Sequence, residues 1–169
     1  RSRRQRQMCI RDRIRPVPLT SELFAPFGEV HESPSGLGRD YFDEALTSLR
    51  PEAHPSISFA RNSPVSSAQL HVDRLEQHKY SSQTFVPINA SRWLVVVAGD
   101  REGQPDSETV KVFIASETQG LTFAPGTWHL GLHVLDRVST HAIFMWRDGT
   151  DADETFADVQ PFSCLLYTS

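Results

Sequence analysis

Beyond about residue 50, apolar and polar positions recur with a period of two. Ser56–Arg61, Ala68–Leu75, Thr84–Ile88, Arg92–Ala98, Val110–Ala115, Gly120–Phe123, Leu130–Leu135 and Thr140–Trp146 are short runs rich in Val, Ile, Phe and Trp, separated by turn residues. That pattern predicts strands. Before it, Thr20–Gly28 reads as one capped helical turn, because Thr20 or Ser21 can accept from unpaired amides and Pro26-Phe27-Gly28 stops the turn. Tyr41–Leu49 reads as a second short helix, while 31–40 and 99–106 are polar loops with Gly and Pro. The segment Phe156–Phe162 is expected to pack back on the outside. Many short strands with helix only at the front predict a mainly β antiparallel barrel or sandwich.

The ends change how composition is read. Met8–Arg13 can be encoded by ATGTGTATAAGAGACAG plus one base, and Cys164–Ser169 by TGTCTCTTATACACATCT. The reverse complement of the second contains nearly all of the first, as if one sequencing adapter had been read on opposite strands. Residues 1–13 and 164–169 are therefore expected to be adapter-derived, leaving 14–163 as a single domain. Three inferences are set aside with them. The Arg-rich start no longer suggests a nucleic-acid tail. Cys9 and Cys164, the two cysteines, carry no thiol argument. The whole chain has 17 basic and 21 acidic residues, net −4; residues 1–13 hold six Arg and one Asp, so the remainder has 11 against 20, net −9. An acidic domain lacks the footprint of a nucleic-acid binder. No apolar run approaches the roughly 20 residues that span a bilayer, and no signal peptide is visible. The expectation is a cytoplasmic domain with a full core and no membrane partner.

Two stretches carry chemistry. In Glu76-Gln77-His78, Glu76 and His78 lie two apart and so share a strand face, and Gln83 opens the next strand. In Pro125-Gly126-Thr127-Trp128-His129, a turn delivers an imidazole at the start of a strand, with Trp128 as a bulky wall and His133 four residues on. A carboxylate, two imidazoles and an amide can hold a divalent metal or supply acid and base. The same polar residues also suit a charged rim. Arg61, leaving a strand, suits a bidentate clamp on a carboxylate, and an exposed ion pair equally; Arg147 is open in the same way. His141, inside an apolar strand, reads as structural.

At these residues the chain resembles the ureidoglycolate lyase family, a branch of the cupin barrels also called ureidoglycolate hydrolases. The resemblance is carried by Pro18-Leu19-Thr20, Phe27-Gly28-Glu29-Val30, Ser56–Arg61, Leu75-Glu76-Gln77-His78, Gln83–Asn89, Leu94–Ala98, Val110–Ala115 and Gly120–His129, in order, from about residue 16 to 162. It implies a cupin-like double-stranded β-helix, an antiparallel jelly-roll barrel with short N-terminal helices, assembled as a homodimer. It implies cleavage of (S)-ureidoglycolate to glyoxylate and urea in allantoin catabolism, part of purine breakdown. Glu76, His78 and Gln83 fall where the first cupin motif places its ligands, and His129 where the second places its lone His. These four would be the metal set if a divalent ion such as nickel is bound. Catalysis would fall to His129, His78 and Glu76, and substrate binding to Arg61, Gln83 and Trp128. The chain departs from the family where a second His and a Pro usually follow Trp128-His129, here Leu130-Gly131, and in a shortened loop over 31–40. Those departures keep two alternatives in view: a cupin-like binder of small carboxylates without turnover, and a cupin enzyme acting on another small hydroxy or ureido acid.

Overall fold

The computed structural model describes residues 13–166. Most of the two expected adapter-derived stretches, including Cys9, lies outside the described residues. The elements run β1 (Arg13–Ile14), β2 (Val17–Pro18), α1 (Ser21–Phe24), β3 (Gly28–His31), β4 (His54–Asn62), β5 (Gln69–His78), β6 (Gln83–Asn89), β7 (Trp93–Ala98), β8 (Asp100–Arg101), β9 (Gln104–Pro105), β10 (Lys111–Ala115), β11 (Gly120–Phe123), β12 (Trp128–His129), β13 (His133–Val134), β14 (Ser139–Arg147) and β15 (Glu154–Leu165). One curled sheet is ordered β1-β15-β5-β12-β7-β10-β2, with β13 also on β7; the second is β3-β11-β6-β14-β4. This is the mainly β architecture expected from the strand pattern, in the jelly-roll form that the family resemblance implies.

The interior lies between the sheets. Trp93, Val95 and Val97 of β7 meet Phe85, Leu121 and Phe123 of the opposite sheet, with Phe24 and Phe27 of the α1 region closing one side. The other face of β7 is buried too, because Leu94, Val96 and Ala98 pack with Val72, Leu75, Trp128, Phe162 and Cys164. A strand covered on both faces reads as a continuous apolar run, which is what Trp93–Ala98 is.

Local chemistry explains where expectation and structure part. Thr20 caps α1, accepting from the Leu23 amide at 3.2 Å. The second expected helix is reduced to one 3-10 turn, Asp43–Ala45, with no side-chain cap. Farther along, the chain is drawn to the sheet instead: the Ser82 amide donates to the Thr47 carbonyl and the Leu49 amide to that of Tyr80, both at 2.8 Å. Phe156–Phe162 is the middle of β15, hydrogen-bonded along β5 with a register shift between Asp158 and Phe162, and Val159 and Phe162 join the cluster on the outer face of β7. Of the expected strand Leu130–Leu135 only β13, His133–Val134, forms; Leu130–Leu132 links it to β12 without strand structure.

Candidate active site

Two crossings between the sheets place the chemistry at one end of the barrel. The chain leaves β5 at His78 and enters the other sheet at Gln83; it leaves β11 at Phe123 and returns at Trp128. The second crossing is a tight turn, Ala124 to Thr127, closed by the Thr127 amide on the Ala124 carbonyl at 3.1 Å. Gly126 sits at φ 85° there, the left-handed conformation that a type II turn requires of its third residue, with Pro125 at the second. The turn is tied to the first crossing. The Gly126 amide donates to the His78 carbonyl at 2.8 Å, and Gln77 Nε2 donates to the Gly126 carbonyl at 2.7 Å.

Strand register then aims the side chains. His129 pairs with Glu76 on one side and Val97 on the other. Paired residues share a face, and Val97 belongs to the barrel interior, so His129 and Glu76 both point inward, with His78 two residues on. The ligand-capable atoms of Glu76, His78 and His129 lie within 4.8 Å of one another. His129 is 1% exposed and its ring stacks on Phe123, centroids 4.2 Å apart.

Hydrogen bonding fixes the state of His129. Its Nδ1 lies 3.0 Å from the Thr127 carbonyl, which can only accept, so Nδ1 carries a proton. In a neutral ring the lone pair is then on Nε2, 3.2 Å from Glu76 Oε1 and without a hydrogen-bond partner among the described residues. A bare lone pair facing a carboxylate at that distance repels it. A proton on Nε2 or a cation between the two removes the repulsion. Burial raises the Glu76 carboxyl, but contact with His129 and the charges of His129 and His78 outweigh it and hold the group below its usual range. Burial and then the charge of His129 push His78 down against the pull of Glu76 and Asp153, so His78 is neutral at neutral pH. Asp153 stands 3.5 Å from His78 Nδ1 and is itself held by the Tyr80 amide at 2.6 Å.

A cavity of about 230 Å³ opens on Glu76 and His78 of this cluster, lined also by Gln83, Arg50, Arg147 and Asp153 among others, with His129 buried behind Glu76 rather than in its lining. Gln83 Oε1 is buried there without a hydrogen-bond partner among the described residues. Two members of the cluster match a divalent cation: donors bonded at about 2.1 Å to one ion stand roughly 3.0–3.4 Å apart, and Glu76 and His129 present theirs at 3.2 Å, with His78 the third possible donor.

Thus Glu76, His78, Gln83 and His129 come together, and two expected substrate contacts do not join them. Trp128 pairs with Gln77 and Ala98 on the opposite face, fully buried, its indole donating to Asp100 Oδ1 at 2.7 Å. Arg61 is exposed on β4, opposite Thr140, and is not among the residues lining the cavity. The cavity's cations are Arg50 and Arg147. Arg50 and Asp153 carried no signal in the sequence, one following a predicted helix and the other ending a polar loop. Leu130, standing where the family usually has a second His, packs into the core behind Trp128 rather than toward the cluster. His133 turns its Nδ1 onto the Gly131 carbonyl at 2.7 Å.

Comparison with known proteins gives a family. The family profile described as ureidoglycolate lyase matches residues 11–163. The ureidoglycolate lyase of Brucella anthropi is 33% identical over 135 residues, 75% of this chain and 78% of the relative. That of Escherichia coli is 30% identical over 148 residues, 82% and 84% of the two chains. The crystal structure of a dTDP sugar isomerase from Desulfovibrio desulfuricans superposes with a TM-score of 0.51 at 16% identity, covering 78% of this chain and 82% of that one, a likeness of fold alone.

Proposed function

Because the chain belongs to the ureidoglycolate lyase family, we propose that it cleaves (S)-ureidoglycolate to glyoxylate and urea, as a cytoplasmic step of allantoin catabolism. The observation that carries the reading is the inward pair of Glu76 and His129, 3.2 Å apart with His129 Nδ1 on the Thr127 carbonyl, where Glu76 lines a small cavity beside His78 and Gln83.

The substrate is a hemiaminal, and its cleavage is an elimination. The hydroxyl loses its proton, the carbon–oxygen double bond of glyoxylate forms, the carbon–nitrogen bond breaks, and the departing urea nitrogen gains a proton; no water is consumed. Such a reaction needs a base and an acid on one small molecule. His78, neutral at neutral pH, is suited to take the hydroxyl proton, with Asp153 to steady the imidazolium that forms. His129 Nε2, 3.2 Å from Glu76 Oε1, is assigned as the donor to the leaving nitrogen when it carries a proton. Gln83, with an unpartnered carbonyl oxygen, is placed to accept from the ureido N–H groups. Glu76, His78 and His129, with Gln83 beside them, would alternatively hold a divalent cation such as nickel, which when bound supplies polarisation of the substrate's hydroxyl oxygen.

The relatives' names favour turnover over a binding-only role. The homodimer implied by the family finds support on the outer face of the second sheet. There Phe59 pairs through Ala142 with Val86, and Ile57 and Ile88 flank them, leaving four large apolar side chains in water. Among the described residues no helix is long and apolar enough to cross a membrane.

His129→Ala tests the assignment. Turnover is expected to fall about 10²–10⁴-fold, the usual worth of a positioned proton donor, with the circular dichroism spectrum unchanged. Near-normal turnover, with or without added nickel, would remove His129 from the chemistry.

A further inference from the structure

The elimination requires the substrate's carboxylate to be held still, and the cavity contains one guanidinium built for that task. We propose that Arg50 is the carboxylate-binding residue of this site and sets its selectivity for small acids over their uncharged analogues; this rests on the lyase reading above.

The side chain of Arg50 is 10% exposed and lines the same cavity as Glu76, His78 and Gln83. Its Nη1 is taken by Asp148 Oδ2 at 2.7 Å, and its plane lies over the Tyr80 ring, 5.5 Å from the centroid. Asp148 is in turn fixed, its Oδ1 accepting from the Thr150 amide at 2.9 Å and the Thr150 hydroxyl at 2.7 Å. One end of the guanidinium is therefore anchored and its orientation set before any ligand arrives. What remains is the other edge. Nε is buried without a partner, and Nη2 makes no hydrogen bond among the described residues. That Nε–Nη2 edge is the fork a carboxylate meets with two parallel hydrogen bonds.

The rest of the lining argues for the same spot. Glu76, Asp151, Asp153 and Glu154 repel an anion from most of the cavity wall. Arg147 is exposed and, among the described residues, has no hydrogen bond or ion pair to hold it, so it offers charge without a preset geometry. Arg61, which the sequence pattern offered for this role, stands elsewhere. A small α-hydroxy acid with its carboxylate on Arg50 keeps its hydroxyl and substituent free to face the acid–base groups.

The test uses calorimetric titration of the full chain with glycolate and with glycolamide, its uncharged counterpart, beside steady-state kinetics on ureidoglycolate. Wild type is expected to bind glycolate at least tenfold tighter than glycolamide. Arg50→Lys keeps the charge and loses the fork, and should lose at least tenfold of that preference and raise KM by a similar factor. Arg61→Lys, at an exposed position on β4 away from the cavity, should keep both. Arg50→Ala should regain glycolate binding when guanidinium is added, which a merely structural role would not allow; a melting curve identifies a variant that fails to fold. Unchanged glycolate-over-glycolamide preference in folded Arg50→Lys overturns the proposal, even if wild type cleaves ureidoglycolate. A wild type that does not cleave ureidoglycolate, yet selects glycolate through Arg50, would overturn the lyase reading and leave this site standing.

Discussion

His141 lies on β14 facing the barrel interior, wholly buried, with its ring edge-on to Trp93 at 5.1 Å between centroids. Neither ring nitrogen has a hydrogen-bond partner among the described residues. Burial without a partner penalises the charged form, and the imidazole is pushed down from 6.5 to about 4. The unfolded chain therefore binds a proton between those values that the folded chain refuses. The contribution to stability is fully present above pH 6.5 and is lost as the pH falls toward 4. At 1.36 kcal/mol per unit, the full loss is about 3 kcal/mol, and about 2 kcal/mol of it has gone by pH 5. His141→Leu removes the titration. At pH 7 it also removes two unsatisfied polar atoms, worth about 1–3 kcal/mol, against the loss of an edge contact worth about 0.5–1.5 kcal/mol. The variant should thus match or exceed wild type at pH 7, and its advantage should widen by about 2 kcal/mol at pH 5. Urea unfolding of both proteins at the two pH values measures this, with equal m-values as the check on two-state behaviour. The same difference between the proteins at pH 7 and pH 5 would refute the reasoning, because it would place a proton or a polar partner on the buried ring.

Two other outcomes follow from the same contacts. Asp100 accepts from Trp128 Nε1 at 2.7 Å and from Gln77 Nε2 at 3.2 Å, so Asp100→Ala leaves a buried indole N–H without its partner. It should cost about 1–3 kcal/mol, read as a lower urea midpoint; an unmoved midpoint would mean that the indole finds another acceptor. Phe59 is 67% exposed in the apolar patch on the second sheet. Light scattering should therefore give wild type twice the 19.0 kDa chain mass and Phe59→Asp a single chain mass; a monomeric wild type would count against that face as the interface.

The barrel and the centre of the site were legible because both rest on period two. Glu76 and His78 share a face by alternation alone, and the Pro125-Gly126 turn announces the strand that carries His129. The same alternation also speaks against Trp128 as a wall of the site, since a neighbour of an inward residue on a strand must face the other way. β4 shows where the pattern misleads: its apolar set, Ile57 and Phe59, faces outward at 67% exposure each, and Arg61 shares that face. Apolar residues on an outer face are invisible as such in the sequence, which records alternation but not which side is covered. Arg50 and Asp153 were hidden for a different reason. Both belong to loops whose approach to β5 and β6 is set by tertiary contacts: Ser48 bridged to Ser81, and the Lys79 amide on the Asp153 carbonyl at 3.1 Å. No local spacing encodes such contacts.

The most direct test of the central claim is product analysis. The purified chain would be incubated with (S)-ureidoglycolate, and glyoxylate, urea and ammonia followed separately against the spontaneous decay. The account predicts glyoxylate and urea formed in equal amounts above background, with no ammonia released. Glyoxylate accompanied by ammonia would mean hydrolysis of the ureido group, and no rate above background would mean a different substrate; either result contradicts the lyase assignment.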